Sequence, residues 1–103
     1  MPKRAEIETS LSGLEGFFKG EDKHLDSGLA IADADALAAE FRPAAEGYRR
    51  PDKGPVEIYR VPRAEEAIVL VERIYRAINM TDAAEGSEAC AALRKLASEQ
   101  RWI

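Results

Sequence analysis

The sequence predicts a mainly helical α+β fold, four to five helices around a small sheet of two strands with room for a third. Three observations predict it. Apolar residues recur at three- and four-residue steps over most of the chain. One run, "VEIYRV" (56–61), alternates instead and is bracketed by Pro55 and Pro62. The chain has 103 residues, 46% apolar and 33% charged, which suits one globular domain spanning 1–103, with residues 1–5 free to fray.

The first element covers 5–19. Ile7, Leu11, Leu14, Phe17 and Phe18 share one helical face. Gly13 and Gly16 weaken that helix, and "EIETSL" also alternates as a strand would, with Ile7, Thr9 and Leu11 on one side. Helix is the preferred reading. Gly20 ends it, and "GEDKHLDSG" (20–28) reads as a charged loop. "LAIA" (29–32) reads as a short strand, with Asp33 and Asp35 behind it as caps for the next helix. That helix, 34–49, aligns Leu37, Ala38, Phe41, Ala45 and Tyr48, and Pro43 predicts a kink or restart within it.

"RRPDKGP" (49–55) is a turn-rich link to the strand 56–61. Prolines on both sides suit a short or edge strand, because proline lacks an amide donor. The helix 63–79 follows, with Ala64, Ala67, Ile68, Val71, Ile74, Tyr75 and Ile78 as its main stripe. Val69 and Leu70 fall outside that stripe. Asp82 and Glu85 form a capping-box pattern before the last helix, which runs to about Gln100. Ala89, Cys90, Leu93, Leu96 and Ala97 point inward there, and Arg94, Lys95 and Glu99 outward. Trp102 either folds back on this helix or enters a partner, and folding back is preferred.

Net charge is −4 and unevenly spread. Residues 1–40 carry four basic and nine acidic side chains, whereas residues 41–76 carry eight and six. The acidic front disfavours a general nucleic-acid coat, since phosphate binding needs concentrated positive charge. Arg42, Arg49, Arg50, Lys53, Arg60 and Arg63 still form a basic cluster with Tyr48 and Tyr59 among them, a composition able to hold phosphates and stack bases.

Chemistry-bearing residues are sparse. Cys90 is the single cysteine, so an internal disulfide and a four-thiolate zinc site are excluded, and a buried structural thiol is its default role. His24 is the single histidine. With Asp22 and Asp26 it could converge on a metal, but a charged loop is more often merely solvated. Asp33-Ala34-Asp35 starts like a calcium loop and fails at Leu37, Ala38 and Ala44. No phosphate-binding glycine loop, GxSxG or HExxH pattern occurs. No cofactor is expected.

The expected function is therefore non-catalytic: a small intracellular adaptor, inhibitor or accessory subunit acting by protein–protein contact, with self-association an equal use of the same surface. Its expected interface is Tyr59, Arg60, Val69, Leu70, Arg73, Trp102 and Ile103. The alternative is a nucleic-acid-binding regulator using the 42–63 cluster, and a second alternative is a small enzyme centred on His24. No run of residues suits a membrane span. The absence of a charged-then-apolar leader, with one lone cysteine, points to the cytoplasm.

Overall fold

The structure, a computed structural model, describes residues 2–21, 26–49 and 58–103, with the backbone alone at Arg49 and Ile58. It contains four helices: α1 (Arg4–Lys19), α2 (Ser27–Glu46), α3 (Ala64–Asn79) and α4 (Ala83–Glu99). Each packs on two neighbours in the cyclic order α1, α2, α3, α4. Neighbours are antiparallel. The start of α1 reaches the ends of α2 and α4, through Lys3 N–H to the Glu40 carboxylate (2.8 Å) and Arg4 to the Arg101 carbonyl (3.2 Å). The architecture is an up-down-up-down four-helix bundle.

The α+β expectation is overturned. Among the described residues of the predicted strand 56–61, Ile58–Tyr59 alone is extended in a ladder, pairing antiparallel with Tyr48–Arg49 in the register Tyr48↔Tyr59 and Arg49↔Ile58. Residues 56 and 57 lie outside the described residues. A two-residue ladder offers no face to pack, so it ties the α2–α3 link together without forming a layer of the fold. Where the link returns, the Val61 amide donates to the Ala44 carbonyl at 2.9 Å, and Val61 itself is buried.

The second predicted strand, 29–32, is the first turn and a half of α2. Asp26 is the cap: its carboxylate accepts from the amides of Gly28 (2.7 Å) and Leu29 (3.4 Å). Asp33 and Asp35 consequently lie inside the helix rather than before it. α2 runs through Pro43 without restarting, because the ring deprives only the carbonyl of exposed Ala39 of its donor. Gly47, at φ 110°, then turns the chain into the ladder, a backbone setting closed to other residues. Residues 5–19 are helix, not strand.

The buried positions explain the bundle. Ile7, Leu11, Leu14 and Phe18 on α1 are spaced four, three, four. The same alternation runs through Ala30, Ala34, Leu37, Phe41 and Ala44 on α2, Ala64, Ala67, Val71, Ile74 and Ile78 on α3, and Gly86, Cys90, Leu93 and Ala97 on α4. A three-four alternation averages about 3.5 residues, the period that keeps one seam facing its neighbours. Alanines fill many of these sites, so the helices approach closely. At Gly86 the approach is tight, for a Cβ there would overlap three ring atoms of Phe18.

Three helices end alike. After α1, Gly20 donates to Phe17 and Glu21 to Gly16. After α3, Thr81 donates to Ile78 and Asp82 to Ala77. After α4, Arg101 donates to Ser98 and Trp102 to Ala97. This is the Schellman pattern, which needs a left-handed residue and favours an apolar residue one place later. Glycine fills the left-handed place once. Thr81 (φ 54°) and Arg101 (φ 58°) fill it elsewhere, and for a β-branched threonine that is strained. The motif after α4 turns Trp102 onto Phe41, with ring centroids 5.1 Å apart, and leaves it 5% exposed.

Arg94 clamps α4 to α1. Its guanidinium meets both Glu15 oxygens (2.9 and 2.7 Å), Glu8 (2.8 Å) and the Ser12 hydroxyl (3.3 Å). Donation from Arg94, then from Ser12, holds the Glu8 carboxyl below its ordinary value. Cys90, sealed beside this network, is a buried thiol pushed up to about 12 by burial, so it stays protonated at neutral pH.

Three outcomes test this packing. Gly86→Ala gains about 1 kcal/mol of helix propensity but displaces a buried ring at up to about 3 kcal/mol. Thermal unfolding should therefore show a net loss, smaller when Phe18→Leu is present in the background. Thr81→Gly should stabilise by about 1 kcal/mol, raising Tm by about 4–8 °C. Arg94→Met should cost about 1–2 kcal/mol at pH 7. Because Glu8 titrates lower in the folded chain, its share is present above its ordinary carboxylate range and is lost as pH falls through the depressed value. The gap between wild type and Arg94→Met in urea melts should thus narrow below about pH 4.

Candidate functional site

The four helices satisfy their own cores, and among the described residues Leu29, Tyr59, Val69 and Met80 are the large apolar side chains left exposed. At about 100° per residue, Val69 stands on the side of α3 opposite the buried stripe. It is 56% exposed, with Glu65, Glu72 and Arg76 among its exposed neighbours on the helix. Leu70, one position on, faces α4 and is half-buried. Between them and the outer side of α4 runs an apolar groove of about 450 Å³, floored by Leu70, Ala92 and Leu96.

Charges rim the groove at one end. Arg63 precedes α3 in a left-handed conformation (φ 65°), which sends its guanidinium across to α4. It donates to Glu66 at 2.7 Å and to Glu99 at 2.9 Å. Donating to Glu99, then to Glu66, raises its already high pKa, so it is a permanent cation there. One helical turn further in, Glu66 on α3 and Lys95 on α4 stand at the same level, because α3 and α4 are antiparallel. Lys95 makes no ion pair among the described residues. The rim is therefore a checkerboard: Arg63 positive beside Glu99 negative, then Glu66 negative beside Lys95 positive.

The residues expected at an interface divide into three groups. Val69 and Leu70 come together in the groove. Arg73 is engaged within the chain, pairing with Glu85 (2.7 Å) and Glu88 (3.9 Å) to tie α3 to α4. That contact uses the Glu85 side chain, so only half of the predicted capping box forms, the Asp82 carboxylate accepting from the Glu85 amide at 3.1 Å. Trp102 is folded back on Phe41, and Ile103 packs against the core. Tyr59 and Arg60 are exposed beside the ladder, where Arg60 donates to the Glu46 carbonyl at 3.4 Å.

Of the basic cluster, Arg42 is exposed, and Arg63 is held by two carboxylates at the groove. The Arg49 side chain, Arg50 and Lys53 lie outside the described residues, as do Asp22 and His24. Asp26, the third member of that triad, is occupied in capping α2. No group of three potential metal ligands occurs among the described residues, and none of the described helices is long and apolar enough to cross a membrane.

Lys95, Glu66 and Glu99 were the residues that sequence reasoning missed. Each reads as an ordinary solvated helix position, and only the antiparallel packing of α3 on α4 sets them around one groove. No family model, curated protein or solved structure matches the chain.

Proposed function

We propose that the chain is a non-catalytic interaction protein, and that it works by taking an apolar helical surface of a protein into the α3–α4 groove. The observation that carries this reading is Val69: a large aliphatic side chain, 56% exposed, on the one side of α3 that no other helix covers. Single exposed apolar residues are ordinary on protein surfaces. Val69 differs in standing at the lip of an apolar groove, beside Leu70 and opposite Ala92 and Leu96. Grooves between two helices are suited to a third, whose apolar side chains recur every three to four residues.

The electrostatics agree. The rim charges cancel, and Arg63 is already paired, so the groove presents no strong field of one sign. A phosphate ligand would want the opposite. An apolar ridge flanked by polar side chains meets both the floor and the rim.

A photo-crosslinking amino acid at position 69 tests this in living cells, with position 39, an exposed alanine on α2, as the control. The expected result is a discrete protein adduct at 69 that is absent at 39. Equal labelling at both positions, or none at 69, would remove the groove as a functional surface.

A further inference from the structure

The rim has a symmetry that names an occupant. Resting on the interaction reading above, we infer that the groove's partner is the same face of a second copy of this chain, related by a two-fold axis lying in the plane of the face. Along α3 the rim reads Arg63 positive, Glu66 negative. Along antiparallel α4 it reads Lys95 positive, Glu99 negative, with Glu99 bonded to Arg63 at 2.9 Å. A copy turned about an axis running along the helices sets Arg63 against Glu99 and Glu66 against Lys95. A copy turned about an axis running across them sets Arg63 against Glu66 and Lys95 against Glu99. Either rotation meets each of these four rim charges with its opposite, as an isologous interface requires.

The apolar parts fit the first of these rotations, since an axis across the helices through the charged end would carry Val69 past the start of α3. Val69, opposite the core stripe, projects as a ridge, and the floor of Leu70, Ala92 and Leu96 receives one. In a two-fold arrangement each copy supplies one ridge and one groove. The cancellation of the four rim charges matters because the whole chain carries −4, and a neutral patch adds no local repulsion where two copies meet. The face is limited in size. Sixteen residues of α3 extend about 24 Å, and two helices side by side are about 20 Å wide. That footprint is below the roughly 800 Å² per partner of a standard stable interface. The dimer is therefore a reversible one, forming and dissociating with concentration.

Sedimentation equilibrium of the full chain from about 5 µM to about 1 mM, a range matched to a small interface, reads the association directly. The expected result is a monomer–dimer equilibrium. Val69→Lys should abolish it, and Lys95→Glu should weaken it about tenfold or more by setting like charges together. Circular dichroism should show both variants fully helical, since neither side chain is in the core.

Mixing then identifies the axis. Lys95→Glu with Glu66→Lys should restore heterodimers if the axis runs along the helices, and Lys95→Glu with Glu99→Lys if it runs across them. A chain that stays monomeric throughout, or a dimer indifferent to both Val69→Lys and Lys95→Glu, overturns the proposal. A dimer that weakens with Lys95→Glu but is rescued by neither mixture overturns the symmetry argued here. If the chain is monomeric but the crosslinker at position 69 still captures a different protein, the second copy is excluded while the interaction reading stands.

Discussion

The alternation of three- and four-residue steps in the buried positions is the constraint on which the structure depends. It appears on all four helices, so every helix owns one seam and every seam meets two neighbours. Small residues at many of those places draw the helices close enough that Phe18 lies directly over Gly86. Once the seams are satisfied, the polar contacts have fixed places to go. Arg94 closes α4 on α1, Arg73 closes α3 on α4, and Tyr75 donates to Asp35 across α3 and α2. These contacts sit at the margins of the seams, where partial exposure limits what each contributes.

Much of this was legible before the fold was known, and the reasons for the exceptions are physical. α3 reads clearly because its apolar stripe is long and its first turn is acidic. α4 reads clearly because Asp82 announces its start. α2 was misread at its beginning. Asp26 caps it, but Gly28 and Asp22 make the surrounding segment look like a loop, and four apolar residues in a row look equally like a strand. The alternation in "VEIYRV" is real, yet a strand needs a neighbour of its own length to become a sheet, and among the described residues only Tyr48–Arg49 pairs with it.

The candidate site was half legible. Val69 and Leu70 stand out in the sequence because they break the stripe of their helix. Their neighbours on α4 do not, since Lys95 and Glu99 read as ordinary outward positions, and Ala92 as nothing in particular, until α3 lies beside them. Trp102 shows the opposite limit. The sequence favoured folding back while also offering Trp102 to a partner, because the turn that decides it rests on a left-handed Arg101 that no pattern announces.

That turn has a consequence for watching the molecule. α2 and α4 are diagonal in the bundle and share little direct contact, yet Trp102, hung from the end of α4, rests on Phe41 in the last third of α2. It is the sole indole in the chain. Its ultraviolet emission is thus a built-in optical gauge of a place where opposite corners of the bundle touch, with no dye or label to be introduced.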